Sequence, residues 1–182
     1  MKKIIYTLFI FPFFIFSQEV SVADGATLTI GTSGTMTVSS SITTNNTGSL
    51  IIITSRANSG SLIAKSAGAD QGKGITLRRE VDGSNEWTLL GIPVIGETSA
   101  DIDDNLRTSG SNSAIGHFDP TTGQGEYVYY TTNAERQLVN GRGYLVSPSS
   151  AGNVDITGAM PSTTVLYELQ DGSGTYGNWN LI

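Results

Sequence analysis

Residues 25–38 read GATLTIGTSGTMTV, from Gly25 to Val38. Two short stretches of alternating apolar and hydroxyl residues each follow a glycine and a small residue. The same pattern returns as Gly48-Ser-Leu-Ile-Ile and Gly60-Ser-Leu-Ile-Ala, so the starts at Gly25, Gly34, Gly48 and Gly60 are unevenly spaced. Alternate residues of a strand share one face, which places Ala26, Leu28 and Ile30 inward together and Thr27 and Thr29 toward water. Short strands punctuated by glycine turns suit either stacked coils of a β-solenoid or a meandering sheet. The uneven spacing argues against a long regular solenoid, and ordinary Thr/Ser/Gly-rich hairpins are the plainer alternative.

The rest of the chain agrees with a β fold. Stretches such as SLIIIT, YVYYTT and YLVS are bounded by Gly, Asn, Asp or Pro, and no window beyond the N-terminus sustains a helical apolar period. The polar joint GADQGKG (68–74) marks a change of character. After it, Ile75–Val81 reads as a strand, Asp82-Gly83-Ser84-Asn85 as a hairpin turn and Glu86–Leu90 as the returning strand. Pro93, with no N–H to donate, ends that pairing. A long polar loop over 97–114 holds a helical turn near Ser99–Leu106. A second hairpin turns at Asp119-Pro120-Thr121-Thr122-Gly123, and further strands follow around Tyr144 and Ile156.

The first seventeen residues have their own logic. Lys2 and Lys3 precede thirteen uncharged, mostly apolar residues from Ile4 to Phe16, then Ser17. That pattern is a secretory signal peptide with cleavage after Ser17; such a run falls short of the roughly 20 residues a membrane-spanning helix requires. The chain has no cysteine, which excludes a lipoprotein anchor, disulfides and Cys-based metal sites. Without Lys2 and Lys3, eight basic residues face sixteen acidic ones, a net charge near −8. So acidic a chain carries no electrostatic footprint for nucleic acid.

Several motifs fall in a recognisable order. Paired Arg78-Arg79 lead to Trp87-Thr-Leu-Leu-Gly-Ile-Pro-Val, then to Phe118-Asp-Pro-Thr-Thr-Gly, Gly141-Arg-Gly-Tyr, Ile156-Thr-Gly and Gly177-Asn-Trp-Asn-Leu-Ile. Over roughly residues 20–182 this order resembles a region of large secreted surface proteins of Bacteroidetes, particularly flavobacteria, exported by the type IX secretion system. In that family the closing W-N-L-[IV] continues as G-N-P-[YF]-P-S and a C-terminal sorting domain follows. The resemblance implies that this chain is an N-terminal fragment of a larger cargo protein, a naturally short protein being the alternative. Gly141–Tyr144 is similar to a sorting-domain motif, but its mid-chain position fits an internal strand better.

Candidates for chemistry are sparse. His117 is the only histidine, and no G-x-S-x-G nucleophile elbow is present; a surface or packing role is expected of it. Asp101, Asp103 and Asn105 alternate as hard oxygen ligands for Ca²⁺ do. However, Leu106 stands where an EF-hand needs glycine and Asn112 where it needs glutamate, so a solvated acidic loop or helix start is the competing reading. Tyr127 and Tyr129 share one side of a strand and offer an aromatic sugar-stacking face, against Val128 and Tyr130 on the other. Trp87 and Trp179 are expected to be core anchors in equivalent strands.

These readings together lead us to expect an all-β protein. Residues 1–17 form the signal peptide, 18–70 a short solenoid-like repeat segment, and 75–182 an antiparallel β-sandwich-like domain, incomplete at its C-terminus. The expected role is structural or adhesive, at the cell surface or outside the cell, with no enzymatic activity and no resident cofactor. Surface glycans or other cell-surface proteins are the expected partners, with the type IX export machinery added only if a sorting domain follows. A carbohydrate-binding accessory module of a longer extracellular enzyme is the alternative.

Overall fold

The computed structural model describes residues 19–67, 74–83, 86–132, 135–162, 165–166, 168–177 and 180. The expected signal peptide, Trp179 and most of the 68–74 joint lie outside the described residues. The protein is all-β, with several sheets and one five-residue helix among the described residues.

The first six strands are β1 (Val20–Val22), β2 (Thr27–Ile30), β3 (Thr35–Thr44), β4 (Ser49–Thr54), β5 (Ser61–Ala67) and β6 (Ile75–Val81). They alternate between two sheets, β1-β3-β5 and β2-β4-β6, and every pairing among these six is parallel. Two consecutive strands thus complete one circuit of chain. Thr27 sits beside Ser49 and Leu50 beside Ile75, each pair one circuit apart. The glycine starts are uneven because neighbouring starts belong to opposite sheets. Every second start stacks on its predecessor, Gly48 above the turn before Gly25 and Gly60 above the turn before Gly34.

Stacking produces columns of like residues. Leu28, Leu50 and Ile75 lie in register, as do Ile30, Ile52 and Leu77. Leu50 is fully buried, with Ile30 and Ile75 nearly so, and they join one apolar cluster. On the outer face the hydroxyls pair with one another, Thr27 with Ser49 at 3.1 Å and Thr35 with Ser61 at 3.2 Å. Thr27 and Thr29 are exposed as expected, but so is Ala26, which precedes the strand rather than beginning its inward row.

Glycine is required at the corners for a steric reason. A Cβ on Gly48 would lie 2.7 Å from both the Val22 and Ala23 carbonyl oxygens, which are backbone atoms of the previous circuit. Gly48→Ala is therefore expected to destabilise the fold by about 1–3 kcal/mol through forced overpacking. Gly31→Ala, where an added Cβ meets nothing within 4 Å, is expected to change little. Urea unfolding of the two variants checks the contrast, and equal midpoints would contradict it.

The expected hairpin across Asp82–Asn85 does not form. β6 stays in the parallel sheet, whereas β7 (Thr88–Gly91) joins a third sheet. β6 is paired on both sides, with β4 in parallel and with the late strand β12 (Gly152–Gly158) antiparallel, so no edge is left for β7. Arg78 and Asp155 face each other across that last pairing and form a two-pronged ion pair at 2.9 and 2.7 Å. Arg79 donates to the Ser55 carbonyl at 2.6 Å.

The third sheet comprises β7, β9 (Asn112–Asp119), β10 (Glu126–Thr131) and β11 (Gly143–Val146), with β8 (Thr108–Ser109) paired to β9. Its order is β10-β9-β11-β7, and all its pairings are antiparallel. The expected helical turn is α1 (Ser99–Asp103); it buries Ile102 and packs against β9 and β12. The same apolar cluster that holds Leu50 continues through Leu90, Ile115, Tyr144 and Val154.

Candidate functional site

The β9–β10 hairpin is built as the sequence indicates. Asp119 accepts hydrogen bonds from the Thr121 N–H at 2.8 Å and from the Thr121 and Thr122 hydroxyls at 2.7 and 2.9 Å. These donors hold the pKa of its carboxyl at about 2. Gly123 takes a positive φ of 56° to complete the turn. The hairpin register then places Tyr127 opposite Phe118 and Tyr129 opposite Gly116.

Alternation sends Tyr127 and Tyr129 outward, 39% and 42% exposed, while Tyr130 is buried on the other side. Gly116 makes room for the Tyr129 ring. A Cβ there would stand 2.8 Å from the Val128 oxygen and 3.0 Å from Cδ1 of Tyr129. Covering a cross-strand glycine with an aromatic ring fixes the ring's position on the sheet.

Trp87 overturns its sequence expectation. It is 47% exposed and lies just before β7, with its ring 5.7 Å from that of Tyr129. The pairing of β7 with β11 explains this: Leu90 takes the buried position, and alternation turns Leu89 and Trp87 to the surface. Tyr129 and Tyr127 are stacked with centroids 6.4 Å apart, and Phe118 meets Tyr127 edge-on at 5.5 Å. Residues far apart in the chain thus form a continuous aromatic row.

A cleft of about 400 Å³ opens beside the row, lined by Trp87 and Tyr129 and by Arg107, Asn112, Ser113 and Ser147. Ser147 is almost wholly buried, and its Oγ has no hydrogen-bond partner among the described residues. The Ser147 N–H donates to the Ala114 carbonyl at 2.9 Å, and its carbonyl accepts from the Arg107 N–H at 3.0 Å. The backbone ladder therefore fixes Arg107 and Ser147 side by side. Among the described residues, Arg107 is the only charged one lining the cleft.

The other candidates are engaged elsewhere. Asp101 accepts the Thr98 N–H at 3.0 Å and the Thr98 hydroxyl at 2.6 Å, which caps α1 and lowers its pKa. Asn105 takes part through its carbonyl, which accepts from the Ser149 N–H at 2.9 Å. The Asp103 side chain lies outside the described residues. Among the described residues no group of three or more His, Asp or Glu is arranged to hold a metal. His117 packs inward with its ring 5.7 Å from Tyr130 and 6.2 Å from Tyr144; burial, then Arg142, depress its pKa.

Sequence reasoning puts Tyr127 and Tyr129 on one side of a strand but does not bring Trp87, Gly116, Arg107 and Ser147 beside them. It also misses Glu97, a buried carboxyl just ahead of α1. The polar residues flanking Trp87 are the one local signal that its ring is not a core anchor.

Comparison with protein families matches residues 12–172 to a domain of unknown function, DUF8693. The chain belongs to the DUF8693 family. The match begins within the N-terminal apolar stretch and ends past β12, so it takes in the two sheets built on β1–β6, the antiparallel sheet and the aromatic row. No curated protein and no solved structure matches this DUF8693 chain.

Proposed function

We propose that this DUF8693 protein is a secreted or surface-displayed adhesion module that binds glycans rather than transforming them. A short β-solenoid-like segment, 18–70, serves as its base, and a sandwich-like β-domain, 75–182, presents the binding face. Parallel strands that stack one circuit on the next support the first description, and the antiparallel third sheet facing a shared core supports the second. Export rests on the charge and apolar pattern of residues 1–17 and on the resemblance to type IX cargo. The type IX machinery would be a partner of a longer protein that carries a sorting domain.

The exposed Trp87–Tyr129–Tyr127 row carries this reading. Large rings left in water on a hydrogen-bonded sheet cost solvation free energy, and flat rings in a row match the apolar C–H faces of pyranose sugars. The adjoining cleft adds hydroxyl, amide and guanidinium groups for sugar hydroxyls. The same face serves the alternative role, an accessory carbohydrate-binding module of a longer extracellular enzyme.

Covering about 100 Å² of the Trp87 ring contributes about 2.5 kcal/mol. Trp87→Ala is therefore expected to weaken binding roughly tenfold or more without altering the melting transition. Pull-down of the purified protein on a panel of insoluble polysaccharides, followed by titration, checks this. Retention of no polysaccharide, or equal binding by Trp87→Ala, would overturn the reading. Self-association abolished by Trp87→Ala would instead make the row a protein contact.

A further inference from the structure

We infer that the cleft selects acidic glycans, with the Arg107 guanidinium reading a uronic-acid carboxylate while Trp87 and Tyr129 hold the sugar ring. This inference rests on the glycan-binding reading above and names the ligand class of the same site.

Three observations carry it. Arg107 is the sole charge among the described cleft residues of a strongly acidic protein. It is exposed, and no described residue forms an ion pair with it. By contrast, Arg56 pairs with Asp82 and Glu86, and Arg78 pairs with Asp155.

Guanidinium suits this task because its fixed fork of donors matches the two oxygens of a carboxylate. The aromatic walls demand a ligand with apolar faces as well, which a uronate sugar combines with its charge and an inorganic anion does not. Overall repulsion by the acidic chain does not decide the outcome. At physiological salt, charges beyond about 8 Å are screened, so the guanidinium in contact with the ligand dominates.

The test uses trisaccharides from polygalacturonate and from alginate, each against its carboxyl-reduced neutral counterpart, titrated calorimetrically into the protein at about physiological ionic strength. At least one acidic form is expected to bind roughly tenfold tighter than its neutral counterpart, as a charge-assisted hydrogen-bond pair implies. Arg107→Gln is expected to erase that difference, lowering the affinity for the acidic form far more than for its neutral counterpart. Equal binding of acidic and neutral forms, or an equal loss of both in Arg107→Gln, overturns the acidic selection and leaves glycan binding standing. Binding of no saccharide by the folded wild-type chain overturns both. Trp87→Ala, expected to lower both affinities together, separates loss of stacking from loss of charge recognition.

Discussion

Tyr144→Ala is expected to lower the stability of the folded chain by about 3–5 kcal/mol. Tyr144 sits on β11, between β9 and β7, and is fully buried. Its ring meets Tyr130 and His117 at edge-on angles, each with centroids 6.2 Å away. Its hydroxyl oxygen accepts the Val139 N–H at 2.9 Å, which ties the approach to β11 onto the sheet. Alanine removes the ring, opens a cavity between two aromatic neighbours and leaves a backbone donor unpaired. Against a total of about 5–15 kcal/mol for an ordinary domain, that loss populates the unfolded state appreciably. Tyr144→Phe keeps the ring and is expected to cost only about 1–2 kcal/mol for the lost hydrogen bond. Urea unfolding of the three proteins tests the order. A cost below about 1 kcal/mol for the alanine variant would show that this ring does not organise the core.

The second large effect comes from pH. Glu97 is 2% exposed, and burial pushes its carboxyl up to about 7 from an ordinary 4.5. The Thr157 and Thr98 N–H groups donate to it and oppose the shift. The nearby Asp101 carboxylate reinforces the shift by repulsion and by accepting the proton's hydrogen bond. Between about 4.5 and 7 the folded chain binds more protons at this site than the unfolded chain, so stability falls as pH rises. The contribution is complete below 4.5 and lost above about 7; the gap corresponds to about 3 kcal/mol.

Other groups act in different directions or windows. The lowered carboxyls of Asp119, Asp101 and Asp24 stabilise above about 4, and that help is lost as acid titrates them. His117, depressed by burial, makes stability rise with pH up to its unfolded value near 6.5 and partly masks Glu97. Glu97→Gln separates the two. Its amide mimics the protonated acid, donating to Asp101 and accepting from Thr157, but does not ionise. The variant is expected to match wild type at about pH 5 and to exceed it by about 2–3 kcal/mol at about pH 8. Chemical denaturation across that range measures the difference, and parallel pH profiles would show that the Glu97 pKa is the same in the folded as in the unfolded chain.

Local reading succeeds where the physics is local. The Asp119–Gly123 turn depends on an acceptor, a proline and a glycine close together in the chain, and it forms as those residues dictate. The division of Tyr127 and Tyr129 from Tyr130 follows from the pleat alone. α1 begins where Thr98 and Asp101 stand three apart, a spacing that caps a helix start.

Pairing is not local, and there the outcome turns on competition. Asp82-Gly83 is compatible with a hairpin, yet β6 gains two partners, β4 and β12, by staying in the parallel sheet. That choice frees β7 for β11 and turns Trp87 to the surface beside Tyr129. Arg107 and Ser147, distant in the chain, meet only because β9, which follows Arg107, pairs with β11, which ends just before Ser147.

The β character, the glycine punctuation, the Asp119–Gly123 turn and the division of Tyr127 and Tyr129 from Tyr130 are thus written in the residues themselves, because sterics and alternation act over short stretches of chain. The alternation of β1–β6 between two sheets, the exposure of Trp87 and the assembly of the cleft came only with folding. A strand pairs as well with a distant partner as with a near one, and a shift of partner or of one residue exchanges its buried and exposed faces.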